Sequence, residues 1–388
     1  MKRYFPLIFF IISFFIHLFY YYSAFFGHSL DLFFENVTPG QDFFQIPNAA
    51  YSFINGGSLQ GNLPKNISPY IICCGVNSNV YHPFFTLLIG IPLQFFSPWT
   101  SFSLWVVLHL IFSLMLIYYF WINYKNNNHL FTALSLYFLN SYHYYEIKHA
   151  QYHFLLTFFT VILLSELVKN KNNIITGFLY FLSLIVKPLG LLWLIPLFFF
   201  KKYKTLFVGI GIFLAVSIPF LISPIGNYYF HNILTTSSSS FSNYNLMALT
   251  HFTNISQEQF RIITIISALL LIILQILKRP HIFYVFFLWI GFQLIFFSLS
   301  FHYHYIILSG LFALGIVLNL FSIKKIEAIP IIVLTLPSPV IIFRFMGDPP
   351  ILPEKHLALV ALWSVFWLTC LMIIVIYKVW AQKKYVSS

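Results

Sequence analysis

Long apolar runs, separated by short polar or basic stretches, follow one another along the whole chain. Runs such as 5–26 and 357–378 are long enough to cross a hydrocarbon core of about 30 Å as helices. The pattern predicts twelve spans, some of them short: 5–26, 100–121, 129–142, 151–168, 174–186, 189–200, 205–223, 260–277, 281–299, 302–321, 326–343 and 357–378. The predicted fold class is an all-α polytopic membrane protein with a single transmembrane domain over residues 1–388.

The composition supports a membrane protein. Of the 388 residues, 60% are hydrophobic and only 8% are charged, whereas charged residues make up about 25% of ordinary soluble domains. The first run follows Lys2 and Arg3 and exceeds the apolar core of a signal peptide, about 7–15 residues, so we expect it to be a retained helix. Three Cys residues are too few for a disulfide framework or a zinc site.

The net charge of +12 is distributed as topology signals rather than as a nucleic-acid surface. With twelve spans and both termini in the cytoplasm, 15 of the 21 Lys and Arg residues lie on the cytoplasmic side. The outer side keeps six of them: Lys65, Lys148, Lys187, Arg261, Arg344 and Lys355. This asymmetry agrees with the positive-inside rule, and its spread along the chain predicts a protein that binds no nucleic acid. The high Phe, Ile and Asn content indicates an AT-rich bacterial genome, so we expect the protein in a bacterial inner membrane.

The large loops of this topology lie on the outer side, at 27–99, 224–259 and 344–356. Seven of the nine acidic residues fall on that side, so we expect the function there. In the first loop, helices are predicted from Pro47 to a Gly56-Gly57 stop and over 82–96. Both suit helices that lie along the membrane surface.

Asp42 is the acid whose position most suggests chemistry, because it follows the first span and precedes the first loop helix. A carboxyl group among aromatic residues at a membrane boundary tends to have a raised pKa, as a general base requires. The alternative is an acidic cap for the helix that follows, which needs no chemistry. The residues alone leave both interpretations open.

Several motifs, taken in order, resemble glycosyltransferase family 87, a branch of the GT-C superfamily. They comprise Gly40-Gln41-Asp42-Phe43-Phe44 with Asn48-Ala49-Ala50 and Gly56-Gly57, then Tyr81-His82-Pro83 with Pro92-Leu93, then His149-Ala150-Gln151, and finally Lys187-Pro188 before Lys201-Lys202. The resemblance covers most of residues 1–205. It departs from the family where Tyr81-His82-Pro83 replaces Tyr-Pro-Pro and Ala150-Gln151-Tyr152 replaces Gly-Gln-Asn.

This resemblance implies a GT-C-like bundle of about twelve transmembrane helices. It also implies a polyprenyl-phosphate sugar, with mannose as the sugar, as the donor and a glycan or glycolipid as the acceptor. GT-C enzymes carry an essential acid in the first outer loop, and Asp42 is the matching position. Asp42 would deprotonate the acceptor hydroxyl, which would displace the lipid phosphate with inversion. The reaction implies no cofactor and no metal.

The leaving phosphate needs cations, because its negative charge grows as the glycosidic bond breaks. The predicted phosphate contacts are Lys187, then Arg344, Lys148 and His302. The three basic residues also have simpler interpretations: Lys187 can extend to the headgroups, Arg344 can pair with Asp348, and Lys148 can join a local ion pair. Predicted substrate contacts are Gln41, Tyr81, His82, His149, Gln151, Asn245 and His304.

Two other classes of protein remain open at this stage. A secondary transporter or lipid flippase also favours twelve spans, but transporters usually carry ionisable groups at mid-membrane and show repeated halves. The interiors of the predicted spans hold almost no acids, and no internal repeat is visible. A non-catalytic partner in polymer assembly is the third class, if Asp42 is structural.

Overall fold

A computed structural model describes residues 4–27, 30, 33–34, 40, 42–59, 61–62, 76–77, 81–223, 245–297, 302–348 and 352–381. The predicted contact Gln41 and the side chain of His302 lie outside this part of the chain. The first half holds α1 (Phe5–Tyr22), α2 (Gln45–Ile54), α3 (Pro83–Leu93), α4 (Pro98–Tyr124), α5 (Leu130–Leu139), α6 (Tyr142–His149), α7 (His153–Val168) and α8 (Ile174–Val186). The second half holds α9 (Leu194–Phe199), α10 (Tyr203–Ile222), α11 (Gln257–Lys278), α12 (Ile282–Phe296), α13 (Ile306–Val317), α14 (Ala328–Thr335), α15 (Val340–Phe345) and α16 (Glu354–Ala381).

Short elements of other kinds complete the described fold. A π-helical turn, Ser23–Gly27, extends α1, and 3-10 helices occupy Pro188–Trp193, Leu246–His251 and His302–Tyr305. Strands β1 (Gly61–Asn62) and β2 (Val76–Asn77) form an antiparallel pair in which Gly61 lies opposite Asn77. The architecture is thus helical, as predicted, with one two-residue ladder in the first loop.

Five helices of the described chain are long and apolar enough to cross a membrane. They are the extended first helix Phe5–Phe26, then Pro98–Tyr124, Tyr203–Ile222, Gln257–Lys278 and Glu354–Ala381. The other apolar helices have 10–17 residues, below the roughly 20 that a full crossing needs. The membrane class is therefore supported, while the count of twelve spans stays a prediction.

The core lies around two helices that have no exposed face. Every residue of α13, and every residue of α12 from Ile282 to Ile295, is buried. Their sequences are apolar on all sides, which is the pattern of a helix surrounded by other helices. By contrast α1, α4 and α11 expose many large apolar side chains, such as Phe15, Leu114 and Leu270, as lipid-facing helices do.

Two predicted spans are wrong as continuous helices. The run 326–343 is divided into α14 and α15 at Leu336, which is extended (ψ 160°) because Pro337 follows it. The run 129–142 ends at Leu139, since Asn140 is extended and its side-chain oxygen accepts a hydrogen bond from the amide of Tyr142 (3.0 Å). The Asn140 break also creates α6, a helix that the apolar pattern does not reveal.

The first loop contains two helices, as predicted, and they pack against each other. α2 begins at Gln45, two residues before Pro47, and it buries Ile46 and Ala50. Gly90 of α3 makes the close approach possible, because a Cβ at this position would lie 2.7 Å from the Ala50 Cβ and 2.8 Å from the Ile46 carbonyl oxygen. This pair of helices adjoins the segment that carries Asp42.

Candidate functional site

The backbone holds Asp42 against the end of α6. The amide of Gly40 donates to the carbonyl of Lys148 (2.7 Å), and the amide of Asp42 donates to the carbonyl of His149 (3.3 Å). Gly40 has φ +74°, and a Cβ there would lie 2.9 Å from Cε2 of Phe102. Only glycine fits this position, and it lets the chain turn so that Asp42 reaches the same place as the residues that end α6.

Three side chains hold the Asp42 carboxylate. Nε2 of Gln151 donates to Oδ2 at 2.6 Å, and Nδ1 of His149 lies 3.1 Å from the same oxygen. Nε2 of Gln45 donates to Oδ1 at 3.2 Å. An ionised carboxylate only accepts hydrogen bonds, so Nδ1 of His149 carries the proton in this contact. The Asp42 side chain keeps 17% of its surface exposed, so a substrate can still reach it.

These contacts make Asp42 an anion at neutral pH. Burial alone would raise the pKa of the carboxyl group, but the hydrogen bond and charge of His149, the hydrogen bond of Gln151 and the charge of Lys187 lower it below its ordinary value. The expectation of a raised pKa is therefore wrong. That expectation took only desolvation into account and left out the hydrogen-bond donors. The ionised carboxylate gains more from these donors than it loses by desolvation.

A strained residue brings His149 and Gln151 to the same carboxylate. Ala150, between them, has a left-handed conformation (φ 52°, ψ 52°) that ends α6. This conformation costs an L-residue with a side chain about 1–2 kcal/mol. Because the surrounding contacts maintain it, the strained turn is one of the structural signs of a functional site.

Tyr81 links the two sides of the site. Its hydroxyl forms a short hydrogen bond to Oε1 of Gln151 and accepts a hydrogen bond from the amide of Tyr152 (3.1 Å). Nε1 of Trp105 donates to the Gln151 carbonyl (3.1 Å), which fixes the backbone there. With its oxygen engaged by Tyr81, the Gln151 amide must direct its nitrogen at Asp42.

Lys187 is the buried cation of this group. Its ammonium lies 4.7 Å from the centre of the Tyr81 ring, a cation–π distance, and the residue is 6% exposed. α8 ends just before it because Pro188 forces Lys187 into an extended conformation (φ −150°, ψ 136°). Burial lowers the pKa of Lys187 to about 8, although the charges of Asp42 and Glu146 oppose this shift.

Glu146 is a member of the group that the sequence reasoning missed. Its carboxyl group is fully buried, and Oε1 accepts a hydrogen bond from the amide of Phe154 (3.0 Å) at the start of α7. Burial raises the pKa of Glu146 to about 8, against the hydrogen bonds of the Phe154 and His153 amides. The ammonium of Lys148, two residues further on, lies 3.4 Å from the Tyr144 hydroxyl, and its interpretation as a member of a local ion pair stays a prediction. The chain has only nine acidic residues, and this rarity is the sequence signal that could have identified Glu146 as a member of the site.

The segment His302–Tyr305 adds aromatic rings next to these acids. The Tyr303 ring lies 5.3 Å from the His149 ring and 5.1 Å from the His153 ring, measured between centroids. The predicted contact His304 packs edge-on against His153 at 4.3 Å, and Nδ1 of His153 lies 3.5 Å from Oε2 of Glu146. The site thus continues from Asp42 towards α13.

Other predicted contacts have structural partners. Nε2 of His82 lies 2.9 Å from the Ser217 hydroxyl, and its Nδ1 accepts from the amide of Phe84 at the start of α3. Asn245 begins the 3-10 helix Leu246–His251 by accepting from the amide of Met247, and it donates to the Phe297 carbonyl. Arg344 lies on α15, ahead of Asp348, whose carboxylate contacts His356. Their roles in substrate binding stay predictions.

The fold and this site define a helical membrane protein that encloses an ionised acid, a lysine and several aromatic hydroxyl groups among its helices. Residues 79–294, more than half of the chain, match glycosyltransferase family 87. The chain belongs to this family and is a glycosyltransferase. No curated protein matches the chain.

The family match divides the site. It begins two residues before Tyr81 and includes His149, Gln151 and Lys187, so these motif residues lie inside it. Asp42 precedes the matched region. At its other end the match extends to residue 294, well beyond residue 205, where the resemblance seen in the motifs ends. The acid is therefore assigned by its contacts to matched residues rather than by the match itself.

Proposed function

We propose that the protein transfers a sugar, mannose, from a polyprenyl-phosphate donor to the hydroxyl group of a glycan or glycolipid. The reaction takes place at the outer face of a bacterial inner membrane, and both chain termini face the cytoplasm. The observation that carries the proposal is the group formed by Asp42, Gln151, Tyr81 and Lys187. The Gln151 amide joins the Asp42 carboxylate to the Tyr81 hydroxyl, and the buried Lys187 ammonium lies over the Tyr81 ring.

Asp42 acts as the general base. As the acceptor oxygen bonds to the anomeric carbon, its proton moves to Asp42, and the bond from that carbon to the phosphate oxygen breaks on the opposite face. The lowered pKa keeps Asp42 ionised and ready. A weak base suffices, because the hydroxyl becomes strongly acidic as the new bond forms.

Lys187 holds the leaving phosphate. The lipid phosphate departs with the electron pair of the broken bond, and a buried ammonium stabilises that charge more strongly than an exposed one. Its pKa of about 8 leaves most of the Lys187 population charged at neutral pH. Residues Arg344, Lys148 and His302 are further proposed phosphate contacts, and His149 and His304 are proposed substrate contacts.

The test is a transfer assay with purified protein, radiolabelled polyprenyl-phosphate mannose and acceptors from a membrane extract. Wild type and Asp42→Asn are compared with Glu166→Gln, an acid-to-amide control whose carboxylate contacts Lys169 and Lys171 instead. We expect label in a new product with wild type and Glu166→Gln, and none with Asp42→Asn.

Other outcomes have distinct meanings. Transfer by Asp42→Asn at the wild-type rate would keep the enzyme and discard Asp42 as its base. No transfer by wild type, after glucose and arabinose donors have also been tried, would reject the proposed donor class.

A further inference from the structure

A cavity lined by residues outside the group around Asp42 lies between the ends of α9 and α11. Its volume is about 400 Å³. The lining combines two cations and an amide with apolar and aromatic side chains: Lys201, Arg279, Gln275, Phe199, Phe200, Ile276, Pro280 and Val285. Of these residues only Lys201 belongs to the sequence motifs, and the transfer reaction gives neither it nor the cavity a role.

Both cations occupy left-handed backbone positions. Lys201 has φ 55° and follows α9, where its amide donates to the Phe198 carbonyl and the next amide donates to the Leu197 carbonyl. Arg279 has φ 46° and ends α11. Glycine is the usual residue at such positions, because a side chain there is strained. The helix dipole favours a cation anywhere in the last turn, so it does not account for these strained positions.

The amide of Gln275 is the buried polar group of the cavity. Gln275 is 6% exposed, and within the described part of the chain its Oε1 has no hydrogen-bond partner. A buried carbonyl oxygen without a donor costs about 1–3 kcal/mol. A ligand that satisfies the whole cavity therefore carries an anionic group for the cations and a hydroxyl or ammonium donor for Gln275.

The surroundings of the cavity are lipid-facing. Two of its lining residues expose large apolar surfaces: Phe199 is 40% exposed and Ile276 is 56% exposed. In the predicted topology Lys187 lies on the outer side and Lys201 on the cytoplasmic side, and the 3-10 helix and α9 between them rise about 20 Å. We therefore take the cavity to lie near the cytoplasmic boundary of the membrane. A ligand there has its charged head at a boundary and an apolar part beside these side chains.

We propose that this cavity binds the headgroup of an anionic phospholipid of the phosphatidylglycerol type. The phosphodiester lies between Lys201 and Arg279, a glycerol hydroxyl donates to Oε1 of Gln275, and the acyl chains lie along Phe199 and Ile276. This inference does not depend on the sugar-transfer reaction, because none of these residues belongs to the group around Asp42.

The test measures lipid binding by the full-length protein in a neutral detergent. Native mass spectrometry and the melting temperature are recorded with added phosphatidylglycerol, phosphatidylcholine or inorganic phosphate. The key variant, Lys201→Gly with Arg279→Gly, removes both charges but keeps residues that favour the left-handed backbone, so it should fold. Asn319→Gly, at another left-handed position (φ 58°), controls for the backbone change, and Lys324→Gln controls for lost charge.

We expect wild type and both controls to bind phosphatidylglycerol in preference to phosphatidylcholine. The affinity for phosphatidylglycerol should fall about fivefold for each cation removed, and Gln275→Leu should reduce the preference while both cations remain. Equal binding of the two lipids by wild type, or undiminished affinity in the double variant, would overturn the proposal. A melting shift with inorganic phosphate as large as that with phosphatidylglycerol would show a free-anion site and would also overturn it.

Discussion

Replacing Gln151 by Met tests whether the donors around Asp42 set its acidity. The change keeps a side chain of similar length but removes the 2.6 Å hydrogen bond from Nε2 to Oδ2. A hydrogen bond to a charged group contributes about 1.5–3 kcal/mol, and one pKa unit corresponds to about 1.4 kcal/mol. The pKa of Asp42 should therefore rise by about 1–2 units in this variant.

The assay is the pH dependence of kcat/KM for sugar transfer, which reports the ionisation of groups in the free enzyme. In the proposed mechanism activity requires the Asp42 anion, so it should decline as the pH falls through the pKa of this group. Since the variant raises that pKa, its acidic limb should move to higher pH by the same 1–2 units. The rate near neutral pH should change less than the rate on the acidic side of the profile, because a more basic carboxylate is also a better proton acceptor.

Gln45→Met is the matched control. Gln45 donates to the other carboxylate oxygen at 3.2 Å, and it is less buried than Gln151. Its removal should move the acidic limb by less than half as much. An acidic limb that stays in place in Gln151→Met, or that moves equally in both variants, would refute the argument that these hydrogen bonds control the pKa of Asp42.

Three further predictions concern the cation and the backbone around the site. Lys187→Met should lower kcat at least 100-fold, and Lys187→Arg should lower it less. Wild-type activity should also decline above pH 8 as the ammonium loses its proton, and a pH profile without this decline would contradict the role of Lys187. Ala150→Gly should raise the melting temperature, because it relieves about 1 kcal/mol of left-handed backbone strain. Ala133→Gly in the interior of α5 should instead lower the melting temperature, because it destabilises the helix by a comparable free energy. A lower melting temperature in Ala150→Gly would refute the argument that Ala150 is strained. Gly40→Ala should destabilise the protein by about 1–3 kcal/mol more than Gly56→Ala in denaturation experiments, since both have positive φ but only Gly40 faces a close ring; equal losses would show that Phe102 yields.

The sequence predicts the long helices well and the short ones poorly. Runs such as 5–26 and 357–378 become α1 and α16 with small shifts, because about 20 apolar residues in a row leave no other structure in a membrane. The run 326–343 is divided because Pro337 acts on the residue before it, and apolar content does not record this effect.

For the site, the sequence predicts which residues belong to it but not how their side chains contact one another. Asp42, Gln151 and Lys187 were predicted as members, and the structure brings them together. The direction of the Asp42 pKa shift was not predictable, since it depends on two hydrogen bonds from residues more than 100 positions away. His82 has the residue type of a substrate contact, yet its ring nitrogens contact Phe84 and Ser217.

The attachment of Asp42 to α6 has a consequence for how such enzymes diverge. The segment is seated through amide and carbonyl groups of Gly40, Asp42, Lys148 and His149, which every amino acid except proline can supply in full. Apart from Gly40 and the acid itself, its sequence is free to change without losing that seat. If Asp42 receives the acceptor and Lys187 the donor, as proposed, substitutions beside Asp42 can alter the acceptor side while the helices that hold Lys187 stay as they are. We then expect related chains to exchange acceptors faster than they exchange donors.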